Sequence, residues 1–514
     1  MNMKFKNLML AGALVVSGLA TAQSTVVVNQ QEDAPIISRH IYGHFAEHLG
    51  RCIYGGFYVG EDSEIPNTAG VRNDIIAALK AMKIPNLRWP GGCFADTYHW
   101  KDGIGPKEDR PTIVNQWWGG VTEDNSFGTH DFLNLCEVLG AEPYLAANIG
   151  SGTVREFTDW IQYVNHDGES PMANLRRENG REKSWGVKYW GVGNEMWGCG
   201  GNMTPEYYAN LYRQYATFMS SWDNDSGMYR IASGANVDDY HWTEVLMRDL
   251  PKQLIEGVAL HSYSFVEWES KGPAVDFNEL QYFKTIERAL NMETLIVNHV
   301  KIMDKYDPEG KIDLIVDEWG GWYNVEEGTN PGFLYQQNTM RDAMIAGATL
   351  NIFNNHSDRV KMANLAQTVN VLQAVILTDD EKMILTPTYH VMKMYAVHQD
   401  ATRLDLDLNT ASYEYQGKKV PAISVSASKD AQGQVHISVV NVDMNKAHDL
   451  ELDLSSLDLK KAVASILTSK DVHDHNSFDN PDKIKVEAFK DFKFKKGNLS
   501  VELAPFSVVM FELN

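Results

Sequence analysis

Apolar and polar positions along this chain follow two different rhythms. Up to about residue 400, short apolar runs alternate with stretches whose apolar residues recur every three or four positions, the pattern of strands buried on both faces alternating with amphipathic helices. The runs predict strands over 41–47, 86–91, 143–149, 187–195, 230–235, 257–263, 313–319 and 349–354. Helical periodicity predicts helices over 71–82, 206–221, 278–305 and 388–398, the second opened by Thr204-Pro205 as N-cap and first-turn proline. Eight strand-helix units predict an α/β fold, a (β/α)8 TIM barrel over 38–401. Beyond about Thr402 the rhythm changes to strict alternation over 420–428, 434–442, 450–454, 462–467 and 499–513, with turn signals such as Asp430-Ala-Gln-Gly between the runs. That pattern predicts an antiparallel β-sandwich over 402–514. The early run 24–28 adds a strand to it, so residues 23–37 are assigned to the sandwich. The connection from His398 to Leu406 has no Pro-, Gly- or Ser-rich character, so the sandwich is expected to cover the barrel and not to hang from a flexible linker.

The first six residues are basic, and an apolar stretch from Leu8 to Leu19 follows, ending in Ala20-Thr-Ala22. This is the pattern of a signal peptide over 1–22 and predicts export to the periplasm or medium. It is too short to span a bilayer with the usual margins, and no later apolar run is long enough for a membrane span. With 514 residues the chain suits two domains, and its net charge of −22 excludes nucleic acid and anionic membrane surfaces as natural partners. A neutral polysaccharide is not repelled. Four cysteines, at 52, 93, 136 and 199, show no framework spacing and are expected to be mostly free thiols.

Chemistry concentrates at two strand ends. Glu195 closes Lys188-Tyr-Trp-Gly-Val-Gly-Asn-Glu, and Glu318 closes Ile312-Asp-Leu-Ile-Val-Asp-Glu. In a parallel barrel both reach the carboxyl-end face, where barrel enzymes keep their sites. Two carboxyl groups facing one pocket suit glycosidic cleavage, one as proton donor to the leaving oxygen and one on the anomeric carbon.

The text around these glutamates resembles glycoside hydrolase family 51, the α-L-arabinofuranosidases. The resemblance rests on Ile41-Tyr-Gly-His-Phe-Ala-Glu-His-Leu-Gly-Arg-Cys, Leu87-Arg-Trp-Pro-Gly-Gly-Cys-Phe, His261-Ser-Tyr, Asn364-Leu-Ala-Gln-Thr-Val-Asn and Thr386-Pro-Thr-Tyr-His. It implies a retaining enzyme that removes non-reducing-end arabinofuranose from plant cell-wall arabinan or arabinoxylan, with Glu195 as acid/base and Glu318 as nucleophile. Glu47, Arg88, Cys93, Asn194 and Gln367 match positions around the arabinofuranose ring, and Tyr263 matches a tyrosine that hydrogen-bonds the nucleophile. The resemblance also suggests a homo-oligomer, and it implies neither metal nor organic cofactor. One stretch departs from the family pattern: Ile113-Val-Asn-Gln-Trp-Trp-Gly-Gly leaves either Trp117 or Trp118 to wall the sugar site, with Trp118 taken as the candidate.

Rival readings exist. His44-Phe-Ala-Glu-His48 fits the H-x-x-E-H zinc signature, but glycines on both sides oppose the helix that such a site needs. A β-xylosidase or endo-glucanase would use the same pair of carboxyl groups. A non-catalytic carbohydrate-binding protein would need no such pair.

Overall fold

The computed structural model describes residues 24–225 and 227–514; the expected signal peptide lies outside them. Eight parallel strands close into a barrel in the order Gly43–Phe45, Asn86–Trp89, Glu142–Ala147, Tyr189–Val192, Tyr229–Asn236, Gly257–Ser264, Asp313–Gly321 and Val360–Ala366, the last pairing back onto the first. Helices wrap the outside. Three of them start the same way: Ser170-Pro171, Thr204-Pro205 and Thr386-Pro387 each place a hydroxyl that accepts the N–H three residues on, with proline in the first turn. The predicted helix over 278–305 is two, Glu279–Leu290 and Met292–Tyr306.

One predicted strand is wrong. Residues 349–354 belong to the helix Met340–Asn355, and the eighth strand is Val360–Ala366. The helix is buried along almost its whole length because the barrel lies on one side and the sandwich on the other. A helix buried all round has no solvent-facing polar stripe to set its period, so a short piece of it reads as a strand. The true strand was masked by Lys361 and Asn364.

Two sheets form the sandwich. The five-stranded sheet includes Ser24–Asn29, antiparallel to Asp405–Asn409 and parallel to His448–Asp453, and the six-stranded sheet is centred on Ile423–Lys429, Val435–Asn441 and Ser507–Leu513. Burial alternates along Ser24–Asn29 as a strand's geometry requires, with Val26 and Val28 inside and Val27 exposed. Among the described residues no helix is long and apolar enough to cross a membrane.

Candidate active site

The barrel's carboxyl-end face opens into a cavity of about 630 Å3 lined by Glu47, Cys93, Trp118, Glu195, Tyr263, Glu318 and Gln367 among others. Strand ends supply the charged groups. Glu318 comes from the seventh strand, where the register against the eighth shifts between Val316 and Trp319. The shift leaves both Asp317 and Glu318 buried in the site, although neighbours on a regular strand point to opposite faces.

Glu318 is held by donors. Arg88 Nη1 donates to its Oε1 at 3.0 Å and Tyr263 Oη to its Oε2 at 2.8 Å. The other guanidinium nitrogen, Nη2, donates to Asn194 Oδ1 at 2.6 Å, and the guanidinium lies 4.5 Å over the Phe45 ring. Burial alone would lower the Arg88 pKa, but Asp317 and Glu318 more than offset it and raise it. Gly92 approaches so closely that a Cβ there would sit 2.7 Å from Glu318 Oε1. Only glycine fits beside that oxygen.

Glu195 follows the fourth strand with a left-handed backbone, φ 42°, after Gly193 at φ 83°. Asp96 fixes this turn, accepting from the backbone of Asn194 at 2.9 Å and from those of Ile149 and Gly150 at 2.8 Å each. Burial pushes the Asp96 carboxyl up to about 7 despite these donors. Glu195 Oε1 pairs with His261 Nδ1 at 2.9 Å, and His261 Nε2 reaches Asp317 Oδ1 at 3.1 Å. Tyr144 donates to the other Asp317 oxygen at 2.7 Å. Burial alone would lower the His261 pKa; Glu318, Asp317 and Glu195 reverse that and raise it to about 10, so the imidazolium persists. For Asp317 the balance falls the other way, Arg88 and His261 outweighing burial and holding it below the usual carboxylate range. The Glu195 carboxyl is raised by burial and by the neighbouring Glu318 charge, against the pull of His261. Carboxylate oxygens of Glu195 and Glu318 and a ring nitrogen of His261 all lie within 4.8 Å of one another.

Glu47 closes the inner wall. Its Oε1 accepts from Trp118 Nε1 at 3.0 Å and from the backbone of Gly92 and Phe94, and its Oε2 accepts from Gln367 Nε2 at 2.8 Å. Burial and the Glu318 charge push it up to about 7. Gln367 Oε1 is buried without a hydrogen-bond partner. Of the two tryptophans left open by the sequence, Trp118 lines the cavity while Trp117 is 38% exposed. The H-x-x-E-H run is no helix. His44 sits in the first strand, Glu47 faces the cavity, and His48 turns away to Glu123 and stacks on Phe94.

The thiol expectation needs correction. Cys93 and Cys199 form a disulfide across 106 residues, while Cys52 and Cys136 are free and buried. Spacing cannot reveal a pair that is brought together only by the tertiary fold. Sequence reasoning also missed His261, Asp317, Asp96 and Tyr144 as parts of the site. His261 carried a signal, since it stands two residues before Tyr263 on one strand and must share its face.

Two family profiles match, the α-L-arabinofuranosidase 1 domain over residues 78–271 and the α-L-arabinofuranosidase C-terminal domain over 317–507. The chain is 52% identical to a Bacteroides ovatus protein named intracellular exo-α-L-arabinofuranosidase, over 99% of this chain and 100% of that one. The chain belongs to the family 51 α-L-arabinofuranosidases. A crystal structure of the family 51 arabinofuranosidase from Xanthomonas axonopodis pv. citri superposes with a TM-score of 0.94 at 46% identity, covering 96% of this chain and 100% of that one. The Thermotoga maritima α-L-arabinofuranosidase arabinose complex gives 0.84 at 31% identity, with 95% and 99% covered. This arabinofuranosidase is therefore a glycoside hydrolase acting on arabinofuranosyl residues. The expectation of export does not stand: a relative of this similarity along its full length is named intracellular, and an apolar N-terminal run is weak ground against that.

Proposed function

We propose that the enzyme releases non-reducing-end α-L-arabinofuranosyl units from fragments of arabinan or arabinoxylan by double displacement, with Glu318 as nucleophile and Glu195 as acid/base. The observation that carries this reading is the separation of the two carboxyl groups. Oxygens within 4.8 Å suit attack by one carboxylate on the anomeric carbon, whereas an inverting pair stands about 6.5–9.5 Å apart to admit a water. The donors on Glu318 suit a carboxylate that must stay charged and aimed. The raised pKa of Glu195 suits a group that must hold a proton.

Attack by Glu318 and proton transfer from Glu195 to the leaving oxygen give a glycosyl-enzyme. Esterified Glu318 no longer carries the charge that helps to hold the Glu195 proton, so Glu195 becomes more acidic and is left as a carboxylate. In that state it takes a proton from water, which resolves the ester with net retention. His261, a cation beside the charged Glu318, orients Glu195 through Nδ1. Glu47, Gln367 and Trp118 line the space for the ring, Asn194 is buried against Arg88, and the relative's name supports exo action. Time-resolved NMR of arabinan, arabinoxylan oligosaccharides and aryl arabinosides tests this reading. Free arabinose appearing first in the α configuration is expected; first appearance of the β anomer, or release of internal fragments, would overturn it.

A further inference from the structure

The Cys93–Cys199 disulfide lies against the acid/base carboxyl. Cys199 Sγ is 3.5 Å and Cys93 Sγ 4.0 Å from Glu195 Oε2. Both cysteines are partly exposed, and Cys93 lines the cavity. The sulfurs and this carboxylate offer three ligand atoms within 4.8 Å of one another. In a tetrahedral zinc site, with Zn–S near 2.3 Å and Zn–O near 2.1 Å, neighbouring ligand atoms stand about 3.5–3.8 Å apart. The two sulfur-to-oxygen distances already lie close to that range. Only the S–S bond keeps the ligand set from being complete.

We propose that the pair is a redox-gated metal site: once reduced, Cys93, Cys199 and Glu195 bind one thiophilic divalent cation of the zinc class. Its fourth position faces the cavity. Reduction delivers two electrons and two protons to the sulfurs. With a tertiary phosphine the electrons come from phosphorus, which takes the oxygen of a water molecule, and the protons come from that water. Metal binding then displaces both thiol protons. If Glu195 is the acid/base of the preceding section, the bound cation removes its proton and silences turnover.

A second trio, Glu195, His261 and Glu318, also has its ligand atoms within 4.8 Å of one another, but it is independent of the sulfurs. The redox state therefore separates the two. The test adds CoCl2 to oxidised protein, to phosphine-reduced protein and to reduced Cys199→Ser, and reads the sulfur-to-cobalt charge-transfer absorption in the near ultraviolet. The fully buried Cys52 and Cys136 serve as the internal background. One equivalent of band in reduced wild type, absent from the oxidised protein and from reduced Cys199→Ser, is expected. No band in the reduced protein, or an equal band in reduced Cys199→Ser, would overturn the site. In parallel, ZnCl2 should slow hydrolysis of an arabinoside with a poor leaving group by about tenfold or more in the reduced enzyme only, with recovery on adding a chelator. Zinc inhibition equal in both redox states would place the metal on His261 and Glu318 and overturn the assignment. A stoichiometric cobalt band with hydrolysis unchanged would uphold the site and overturn Glu195 as the acid.

Discussion

The barrel mouth and the inner part of the seam between barrel and sandwich bury opposite kinds of polar group. At the mouth the buried groups are charged: Arg88, Asp317, Glu318 and His261. At the seam, around the C-terminal half of the helix Met340–Asn355, they are neutral. Asn351 Oδ1 accepts from Ser426 at 3.0 Å and from Ser438 at 2.7 Å, Asn354 Oδ1 accepts from Tyr42 at 2.7 Å, and His398 lies between Ser428 and Ser438. Neutral amides and hydroxyls align two faces at little desolvation cost. Buried charges are a poor source of stability. Charges are buried elsewhere too, Arg176 and Arg341 among them, but the four at the mouth meet around one cavity, which marks where chemistry, and not cohesion, sets the residue type.

If that contrast is right, substitutions at the mouth change rates and substitutions at the seam change stability. The largest effect is expected for Glu318→Ala: a loss of about 10⁴-fold or more on every arabinoside, whatever the leaving group, with the fold retained although Arg88 loses one of its buried acidic partners. Retained turnover on activated aryl arabinosides would remove Glu318 as nucleophile. For Glu195→Ala the loss should be about 10²–10⁴-fold on poor leaving groups and small on activated ones. Azide should then restore turnover as an arabinosyl azide of retained configuration. Equal losses across leaving groups would reverse the assignment of roles.

Tyr263→Phe removes a hydrogen bond of about 1.5–3 kcal/mol to a charged acceptor and should lower kcat about 10- to 100-fold with little loss of stability. A melting temperature that falls while kcat holds would make the tyrosine structural. Asn351→Ala should do the reverse. It leaves buried hydroxyls short of a partner, costing about 1–3 kcal/mol in denaturant unfolding with kinetics unchanged at 25 °C.

The smallest effect is the sharpest test of sign. Burial and the nearby His436 lower the His398 pKa to about 3, so below about 6.5 the unfolded chain takes up a proton that the native seam refuses. Stability from this group should fall as pH drops from about 6.5 toward 3. His261 runs the other way: its contribution is complete below about 6.5 and drains as pH rises toward 10. His398→Gln should flatten the acid limb of unfolding free energy against pH, and His261→Gln the basic limb. Interchanged limbs would show that the two environments have been misread.

How far the sequence could be read follows the same division. Barrel strands ending in Glu195 and Glu318 were legible because an apolar run closed by a carboxylate is a local signal. The seam helix was not, since its burial comes from a sandwich more than 60 residues further along the chain. Asp317 was hidden by the register shift that turns it into the site beside Glu318, and the pairing of Cys93 with Cys199 by the 106 residues between them. The open choice at Trp117 and Trp118 required the hydrogen bond to Glu47.

The strand Ser24–Asn29 carries a consequence for synthesis. It leaves the ribosome before every barrel strand, yet its partners Asp405–Asn409 and His448–Asp453 follow roughly 380 and 420 residues later. At about 5–20 residues per second its edges stay unpaired for roughly 20–80 s. The barrel can begin to assemble in that interval while this sandwich strand waits. Ribosome-bound chains stalled before residue 400 should therefore offer that edge to chaperones, and release of the full chain should withdraw it.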